Sequence, residues 1–257
     1  MHPLTVVMPT IADRRQQRIP TIAQLTAMGL SPRIVEQDPD VLPSREACRQ
    51  NAIAALRTGP RHGHVLLVED DVDVAPALAN WQALTGLCAR GPVALWHRQA
   101  KHPASGVSGP APRGWCGTLG VLLTAEQARQ AADLCTADAD SPHGWDITIR
   151  KMGVQLAIPA LVQHRKLPRA ATRGAFAGGC NCYRGPDSHD LMRRMWEWLP
   201  ARRDRRRVTL TAVAAVNLGI SHTEAAWVLR ALEMLSCCTP EPAGGHHRGL
   251  PLPEWAC

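Results

Sequence analysis

The chain has 257 residues, of which 45% are hydrophobic and 20% are charged. These values exclude wholesale disorder, collagen-like chains and coiled coils, and the length predicts one or two domains with a sizeable core. Lysine and arginine number 29 against 22 for aspartate and glutamate, and the net charge of +7 favours anionic partners such as nucleotides, phosphates or nucleic acids.

Three short apolar runs in the first part of the chain predict buried strands. They cover residues 4–8, 33–36 and 64–68. Apolar residues at helical spacing separate them, first from Pro20 to Gly29 and then from an N-cap at Ser44 to Gly59. Strands that alternate with helices predict right-handed βαβ units, and therefore an α/β domain with a parallel sheet covered on both faces.

The pattern changes in the middle of the chain. Further strands are predicted at residues 93–96, 119–124 and 155–163, the last interrupted by Pro159 and ending at His164. Helices are predicted over 124–134 and 145–152, and a loop rich in proline, glycine and serine over 101–115. A soft domain boundary is expected near Lys166, where the composition shifts to glycine, arginine and cysteine.

The remainder divides into a basic connection over 167–207, a helical segment over 208–238 and a mobile tail over 239–257. Two helices, 209–218 and 221–235, flank a Gly-Ile turn, and Ser221 with Glu224 forms a capping box. This pair resembles a helix-turn-helix, although packing against the rest of the protein is the commoner explanation for such a pair.

A run of arginines comes just before these helices and is a candidate nucleic-acid contact. The run extends from Arg202 to Arg207, and the candidate contacts within it are Arg203, Arg205, Arg206 and Arg207. A solvated linker is an equal alternative. Residues 186–257 carry nine basic against eight acidic residues, whereas residues 1–185 carry 20 against 14, and this distribution weakens the hypothesis that the helices bind DNA.

Glu69, Asp70 and Asp71 directly follow the third predicted strand. Consecutive carboxylates at the end of a buried strand repel one another unless a cation neutralises them, and hard oxygen ligands suit Mg²⁺ or Mn²⁺. Ligands bind at the carboxyl ends of parallel strands, where Thr10 and Glu36 are also expected. A solvated acidic turn, or a helix with Asp73 as its N-cap, is the alternative.

The order of these motifs over residues 4–166 resembles the GT-A-type glycosyltransferases, particularly the bacterial lipooligosaccharide glycosyltransferases and their phage relatives. The resemblance implies a GT-A-like, Rossmann-like α/β fold with a mixed sheet, helices on both faces and a small C-terminal helical segment. It also implies transfer of a sugar from a nucleotide-diphosphate donor to a hydroxyl, with Mn²⁺ or Mg²⁺ as cofactor.

The resemblance assigns Asp71 and His164 as metal ligands. It assigns donor binding to Thr10, Arg14, Arg15, Glu36, Arg45, Arg49, Asn51, Glu69 and Asp70. The sequence departs from the family pattern at Gln50, which separates an arginine and an asparagine that are adjacent in many relatives.

Trp115, Gly117 and Trp145 match the pocket for the acceptor and the sugar, and Asp146 matches the catalytic base or an acceptor contact. Asp146 as the N-cap of its own helix is the alternative. A single base opposite the leaving group implies inversion at the anomeric carbon.

The acceptor is open between two chemistries. A hydroxymethylated pyrimidine in double-stranded phage DNA, flipped out of the duplex, is narrowly favoured by the basic helical segment. A lipooligosaccharide or another glycan is the alternative, and a non-catalytic DNA-binding protein is an alternative of a different class.

No membrane span and no signal peptide is expected, because the apolar runs are short and the N-terminus lacks the order of a signal sequence. A cytoplasmic location is therefore expected, in the host cytoplasm if a phage encodes the chain. There the nine cysteines would be reduced thiols.

Overall fold

A computed structural model of the chain describes residues 3–37, 45–96, 109–111, 117–138, 145–157, 160–165, 188–201, 209–234, 238–240 and 245–252. The strands in these ranges are β1 (Leu4–Thr10), β2 (Pro32–Glu36), β3 (His64–Val68), β4 (Val72–Val74), β5 (Val93–Ala94), β6 (Gly109–Pro110), β7 (Gly120–Thr124), β8 (Gln155–Leu156), β9 (Val162–His164), β10 (Cys238–Pro240) and β11 (His246–Arg248).

The helices in the same ranges are α1 (Ile19–Ala27), α2 (Arg45–Arg57), α3 (Thr85–Cys88), α4 (Ala125–Ala137), α5 (Trp145–Arg150), α6 (Ser188–Trp198), α7 (Thr211–Leu218) and α8 (His222–Met234). Two 3₁₀ segments, Ala12–Arg14 and Pro76–Leu84, follow β1 and β4. None of the described helices is long and apolar enough to cross a membrane.

The main sheet has seven strands in the order β2-β1-β3-β7-β5-β8-β6. β1 pairs in parallel with both β2 and β3, whereas β7 runs antiparallel to β3 and to β5. The expected mixed α/β sheet is therefore confirmed. The three parallel strands are those that the sequence predicts as βαβ units.

Helices cover both faces of the parallel part of the sheet. From β1 to β2 the chain moves one strand to one side, and from β2 to β3 it crosses back over β1. Right-handed crossovers in opposite directions place α1 and α2 on opposite faces. α2 also packs against α4. The residues of β3 are accordingly all buried, although alternate side chains point to opposite faces.

A second, two-stranded sheet joins the segment after β3 to a late segment of the chain. β4 pairs antiparallel with β9, and Val72 lies opposite His164. The single strand expected over 155–163 is instead two, because β8 joins the main sheet and β9 pairs with β4. Pro159, which lacks a backbone donor, stands between them in the sequence.

The C-terminal part contains structure that the sequence did not predict. α6 lies inside the segment interpreted as a basic connection. Met192 and Met195 on the helix and Leu199 just after it are buried, and their helical spacing would have indicated the helix.

The predicted mobile tail also contains regular structure, because β10 and β11 pair as a hairpin. Arg248 donates from Nε to the Leu199 carbonyl at 2.7 Å, and Trp196 donates to the Leu250 carbonyl at 3.0 Å. These hydrogen bonds are made by long polar side chains. The glycine- and proline-rich composition of the segment gives no indication of them, and it led to the prediction of a mobile tail. The boundary near Lys166 and the adjoining residues 167–187 lie outside the described ranges and remain a prediction.

Candidate active site

The predicted site residues meet where β1, β2 and β3 end. Thr10 closes β1 and lies opposite Glu36 at the end of β2, and Glu69 comes directly after β3. Parallel strands end at the same edge of a sheet, so the topology alone brings these polar groups together.

The acidic cluster Glu69-Asp70-Asp71 is partly neutralised by groups from the loop after β1. Arg14 donates from Nη1 to Asp70 Oδ1 at 2.8 Å and to Asp71 Oδ2 at 3.2 Å. Thr10 donates its hydroxyl to the Asp70 carboxylate. Asn51 donates to the Thr10 carbonyl at 2.9 Å, so that α2 fixes the end of β1. Asn51 thus supports Thr10, although the resemblance assigns it to the donor.

His164 faces Asp71 across the junction between β4 and β9. Its Nε2 lies 3.6 Å from Asp71 Oδ2. Its Nδ1 is 2.8 Å from the Arg165 carbonyl, and because a carbonyl only accepts, the proton of a neutral ring is on Nδ1. In that neutral form Nε2 presents a lone pair toward the Asp71 carboxylate, so that both groups could bind a cation placed between them.

Asp71 also has an oxygen that is not satisfied by hydrogen bonding. The side chain is 2% exposed, and its Oδ1 is buried with no hydrogen-bond partner in the described part of the protein. Buried carboxylate oxygens are costly when unpaired. Asp71 and His164 therefore fit a divalent cation.

The donor set is small. Within the described residues no group of three or more histidine, cysteine, aspartate or glutamate side chains could hold a metal ion. Mg²⁺ is commonly held by one or two protein carboxylates together with substrate phosphates, while imidazole and carboxylate ligands both suit Mn²⁺ and related ions. The site thus fits a cation whose coordination a phosphorylated ligand completes.

Two residues that hold this geometry, Thr21 and Arg165, are not among those predicted from sequence. Arg165 donates to the Val72 carbonyl at 2.6 Å, to Thr21 Oγ1 at 3.0 Å and to Asp73 Oδ1 at 3.1 Å. Its backbone N–H donates to the Asp71 carbonyl at 2.8 Å. Thr21 Oγ1 lies 2.7 Å from the Val72 carbonyl. Arg165 thereby fixes His164, its neighbour in sequence, relative to Asp71.

Glu69, the first residue of the cluster, has a strongly raised pKa. Removal from solvent, followed by the charges of Asp71 and Asp70, raises its pKa to about 8. Burial also raises the pKa of Asp71, against the opposing effects of His164 and Arg14. Thr118 donates to Glu69 Oε1 at 3.5 Å. The cluster is electrostatically strained at neutral pH, and a cation would relieve that strain.

Asp146 lies close to the cluster, since its charge contributes to the raised pKa of Glu69. It belongs to the first turn of α5, and its Oδ2 accepts from the Gly117 backbone N–H at 3.1 Å. Gly117 has φ of +113°, and a Cβ there would lie 2.2 Å from the Trp96 ring. Only glycine fits this position, so the donor to Asp146 is fixed by packing. Trp145 beside it is half-buried against the core.

Glu36 is held by two arginines at the neighbouring edge. Arg15 donates to one carboxylate oxygen at 2.9 Å and Arg18 to the other at 3.1 Å. These two hydrogen bonds lower the pKa of Glu36. Arg18 is a further contact that was not predicted. Glu36, Arg15 and Arg18 thus form a charged, hydrogen-bonding surface beside Thr10.

The structure does not bring every predicted residue to this edge. Arg49 donates to the Asp138 carbonyl at 2.8 Å and pairs with Glu46, at the contact between α2 and α4. Whether a residue of α2 reaches the site depends on the face of the helix on which it lies. A short sequence motif does not specify that face. The side chain of Arg45 lies outside what the structure describes, as do Trp115, Arg203, Arg205, Arg206 and Arg207.

Comparison with known proteins gives only loose structural likenesses. No protein-family model matches the chain, and no curated protein matches it at a significant level. A197 from STIV shares 13% identity over 64% of this chain and 87% of that one, with a TM-score of 0.41. A glycosyltransferase involved in glycosylation of the major capsid of PBCV-1 shares 12% over 55% and 69%, with a TM-score of 0.34.

A Drosophila β-1,4-galactosyltransferase 7 variant, complexed with manganese, UDP-Gal and xylobiose, shares 13% over 69% of this chain and 77% of its own, with a TM-score of 0.38. All three TM-scores lie below 0.5.

The raised pKa of Glu69 predicts that Glu69→Gln stabilises the metal-free protein more at high than at low pH. Glu69 titrates near 4.5 when unfolded and near 8 when folded, so its ionisation opposes folding increasingly as the pH rises between these values. The gain in unfolding free energy should be on the order of 1–3 kcal/mol larger at about pH 8.5 than at about pH 5. Urea unfolding in chelator measures it.

The control is Glu36→Gln. The pKa of Glu36 is lowered in the folded state, so ionised Glu36 stabilises the fold. This stabilisation is fully present at every pH above the pKa of Glu36 in the unfolded chain. The loss on substitution should be the same at both pH values. Equal gains for Glu69→Gln at both pH values would contradict the assignment of its pKa.

Proposed function

We propose that this chain is a metal-dependent glycosyltransferase that moves a sugar from a nucleotide-diphosphate donor to a hydroxyl group. The observation that carries the proposal is the pair of Asp71 and His164. They present an unpaired carboxylate oxygen and an imidazole nitrogen at the edge of an α/β sheet where ligands bind. A cation held there with phosphate oxygens is what a sugar-nucleotide donor requires.

The groups around this pair suit the remainder of the donor. Arg14 is the cationic side chain next to Asp71, and it would contact the diphosphate when a cation takes over the neutralisation of the cluster. Glu36, with Arg15 and Arg18, would bind the nucleoside, because carboxylates accept from ribose hydroxyls and guanidinium groups stack on bases.

The transfer step needs two kinds of assistance. A divalent cation bound by Asp71 and His164 would supply Lewis-acid stabilisation of the charge that develops on the departing diphosphate. The attacking hydroxyl must lose its proton, and Asp146 would accept it as general base. The N–H of Gly117 orients the Asp146 carboxylate through Oδ2, and within the described residues its other oxygen is left to the acceptor.

A single base facing the acceptor implies an inverting reaction. The new bond to the anomeric carbon forms from the hydroxyl oxygen as the bond to the diphosphate oxygen breaks, and the proton passes to Asp146. NMR of the first-formed product gives its anomeric configuration, and retention would contradict this mechanism.

Asp71→Asn is expected to weaken Mn²⁺ binding by about 100-fold or more while the fold persists, because it removes a charged ligand from a repulsive cluster. Calorimetric titration with Mn²⁺, with and without a nucleoside diphosphate, measures the effect. Asp133→Asn is the matched control, since Asp133 is 77% exposed on α4 and should leave Mn²⁺ affinity unchanged. Unchanged affinity in Asp71→Asn would overturn the metal assignment.

Asp146→Asn should separate chemistry from binding. The amide oxygen can still accept from the Gly117 N–H, so donor and Mn²⁺ affinities should stay within about twofold of those of the unmodified protein. The rate of transfer should fall by about 10²–10⁴-fold, because the amide cannot take up a proton. If transfer stays within tenfold, Asp146 is not the base.

The acceptor that we favour is a hydroxymethylated pyrimidine in DNA, since unmodified bases offer no comparable hydroxyl. The test incubates the protein with Mn²⁺, radiolabelled sugar nucleotides and DNA with or without hydroxymethylated pyrimidines, and it scores label in the DNA. Label that requires both the hydroxymethyl group and the metal is the expected result.

Two other outcomes would redirect the assignment. Metal-dependent release of nucleoside diphosphate without labelled DNA would keep sugar transfer and point to a glycan such as a lipooligosaccharide. No turnover of any donor would favour a non-catalytic DNA-binding protein.

A further inference from the structure

We infer that the C-terminal unit, α6, α7, α8 and the β10–β11 hairpin, binds double-stranded DNA by placing α8 in the major groove. This inference rests on the proposed function and deepens it, because it names the surface that would hold the DNA acceptor. It rests on the topology of the unit and on the surface of α8, neither of which takes part in the transfer chemistry.

The spacing within α7 and α8 is that of a helix-turn-helix. α7 has eight residues, and Gly219 then adopts φ of +66°, a left-handed conformation that ends the helix. After Ile220, Ser221 and Glu224 form the capping box that starts α8, with Ser221 Oγ 3.1 Å from the Glu224 N–H. Three residues thus separate the helices, as in the DNA-binding motif.

Small and apolar side chains bury the inner faces of both helices. Ala214 on α7 and Ala225 and Val228 on α8 are fully buried, and Ile220 in the turn packs against the core. α6 contacts both α7 and α8, so that α8 is supported on one side by two helices. A three-helix unit of this kind can present the second helix of the turn to DNA.

The hairpin is anchored beside these helices and forms a wing. Thr209, just before α7, pairs antiparallel with His246 in β11: its N–H donates to the His246 carbonyl at 3.3 Å, and the His246 N–H donates back at 2.9 Å. β11 also pairs with β10. Glu233 near the end of α8 lies 2.7 Å from His246 Nε2. The described part of this unit therefore consists of α6, the bridge at Thr209, the α7–α8 pair and the β10–β11 strands, with the bridge joining the helices to the hairpin.

The outer face of α8 has the composition that groove insertion needs. His222, Ala226 and Arg230 are exposed and four residues apart, so they form one stripe, and Thr223 lies beside them. Histidine, threonine and arginine can hydrogen-bond to base edges or phosphates, and alanine permits close approach. The carboxylate of Glu224 is held at the start of α8, where it accepts from the Ser221 hydroxyl and N–H. It therefore does not add negative charge to the stripe.

The C-terminal unit is nearly neutral overall, but several of its acidic side chains are paired with basic groups of the same unit. Asp190 and Glu197 both pair with Arg193 along α6, and Glu233 pairs with His246. Asp190 and Glu197 are therefore engaged away from α8, whereas Glu233, three residues after Arg230, lies at the end of the stripe and is held there by His246. B-form DNA is the fitting partner because its major groove admits an α-helix, whereas the major groove of an RNA duplex is too narrow.

The experiment measures binding to a fluorescein-labelled DNA duplex by anisotropy over a salt series, in chelator and without a sugar donor. Ala226→Glu places a carboxylate at the centre of the stripe, and it should weaken binding by about tenfold or more through repulsion from the phosphates. The new carboxylate can pair with Arg230 one turn later, so α8 itself should be retained. The matched control is Ala54→Glu, an equal charge change at an exposed position of α2.

Arg230→Gln is a second variant with a different signature. It should reduce the dependence of log Kd on log salt by about one unit while circular dichroism shows an intact fold. Equal affinity of Ala226→Glu and Ala54→Glu would overturn the inference, and so would binding an RNA duplex as tightly as the DNA duplex. Absence of DNA binding at low salt would also overturn it, and it would leave sugar transfer to a glycan intact, because transfer is measured separately.

Discussion

The structure around the proposed site depends on one electrostatic constraint, which is the negative charge of three consecutive carboxylates at the end of a buried strand. Asp70 and Asp71 are almost completely removed from solvent, and Glu69 is driven toward its protonated form. Such a cluster opposes folding unless cations and donors surround it. Each surrounding contact neutralises part of that negative charge. The charge that is left unneutralised could bind a cationic ligand.

The partial answers come from distant parts of the chain. Arg14 comes from the loop after β1, while His164 and Arg165 come from the end of β9. Arg165 does not neutralise the reactive oxygens. Its guanidinium group donates to the Val72 carbonyl and its backbone N–H to the Asp71 carbonyl. These two bonds fix the position of His164 relative to Asp71. Among the described residues Asp71 Oδ1 has no hydrogen-bond partner after these contacts, and a bound cation would supply one.

The sequence predicts the parallel core well because β1, β2 and β3 are apolar runs bounded by glycine, proline or charge. It also places Thr10, Glu36 and Glu69 at one edge, which follows from parallel topology alone. It does not predict Thr21 or Arg165, because a threonine on a buried helical face and an arginine after a strand become informative only when β4 pairs with β9. Arg49 shows the converse, since a matching residue type lies on the wrong face of α2. α6 was missed because its apolar residues lie next to low-complexity, arginine-rich sequence.

The pairing of β4 with β9 has a consequence for biosynthesis. The bond from Arg165 to the Val72 carbonyl joins residues 93 positions apart, so this half of the site closes a long loop. On the ribosome the β1–β3 unit can collapse first, with its carboxylates facing Arg14 alone. The pairing that sets His164 against Asp71 can form only after residue 165 has left the exit tunnel. In a nascent chain the acidic edge would therefore form before His164 is available to face it, and the proposed cation site would be completed late in synthesis.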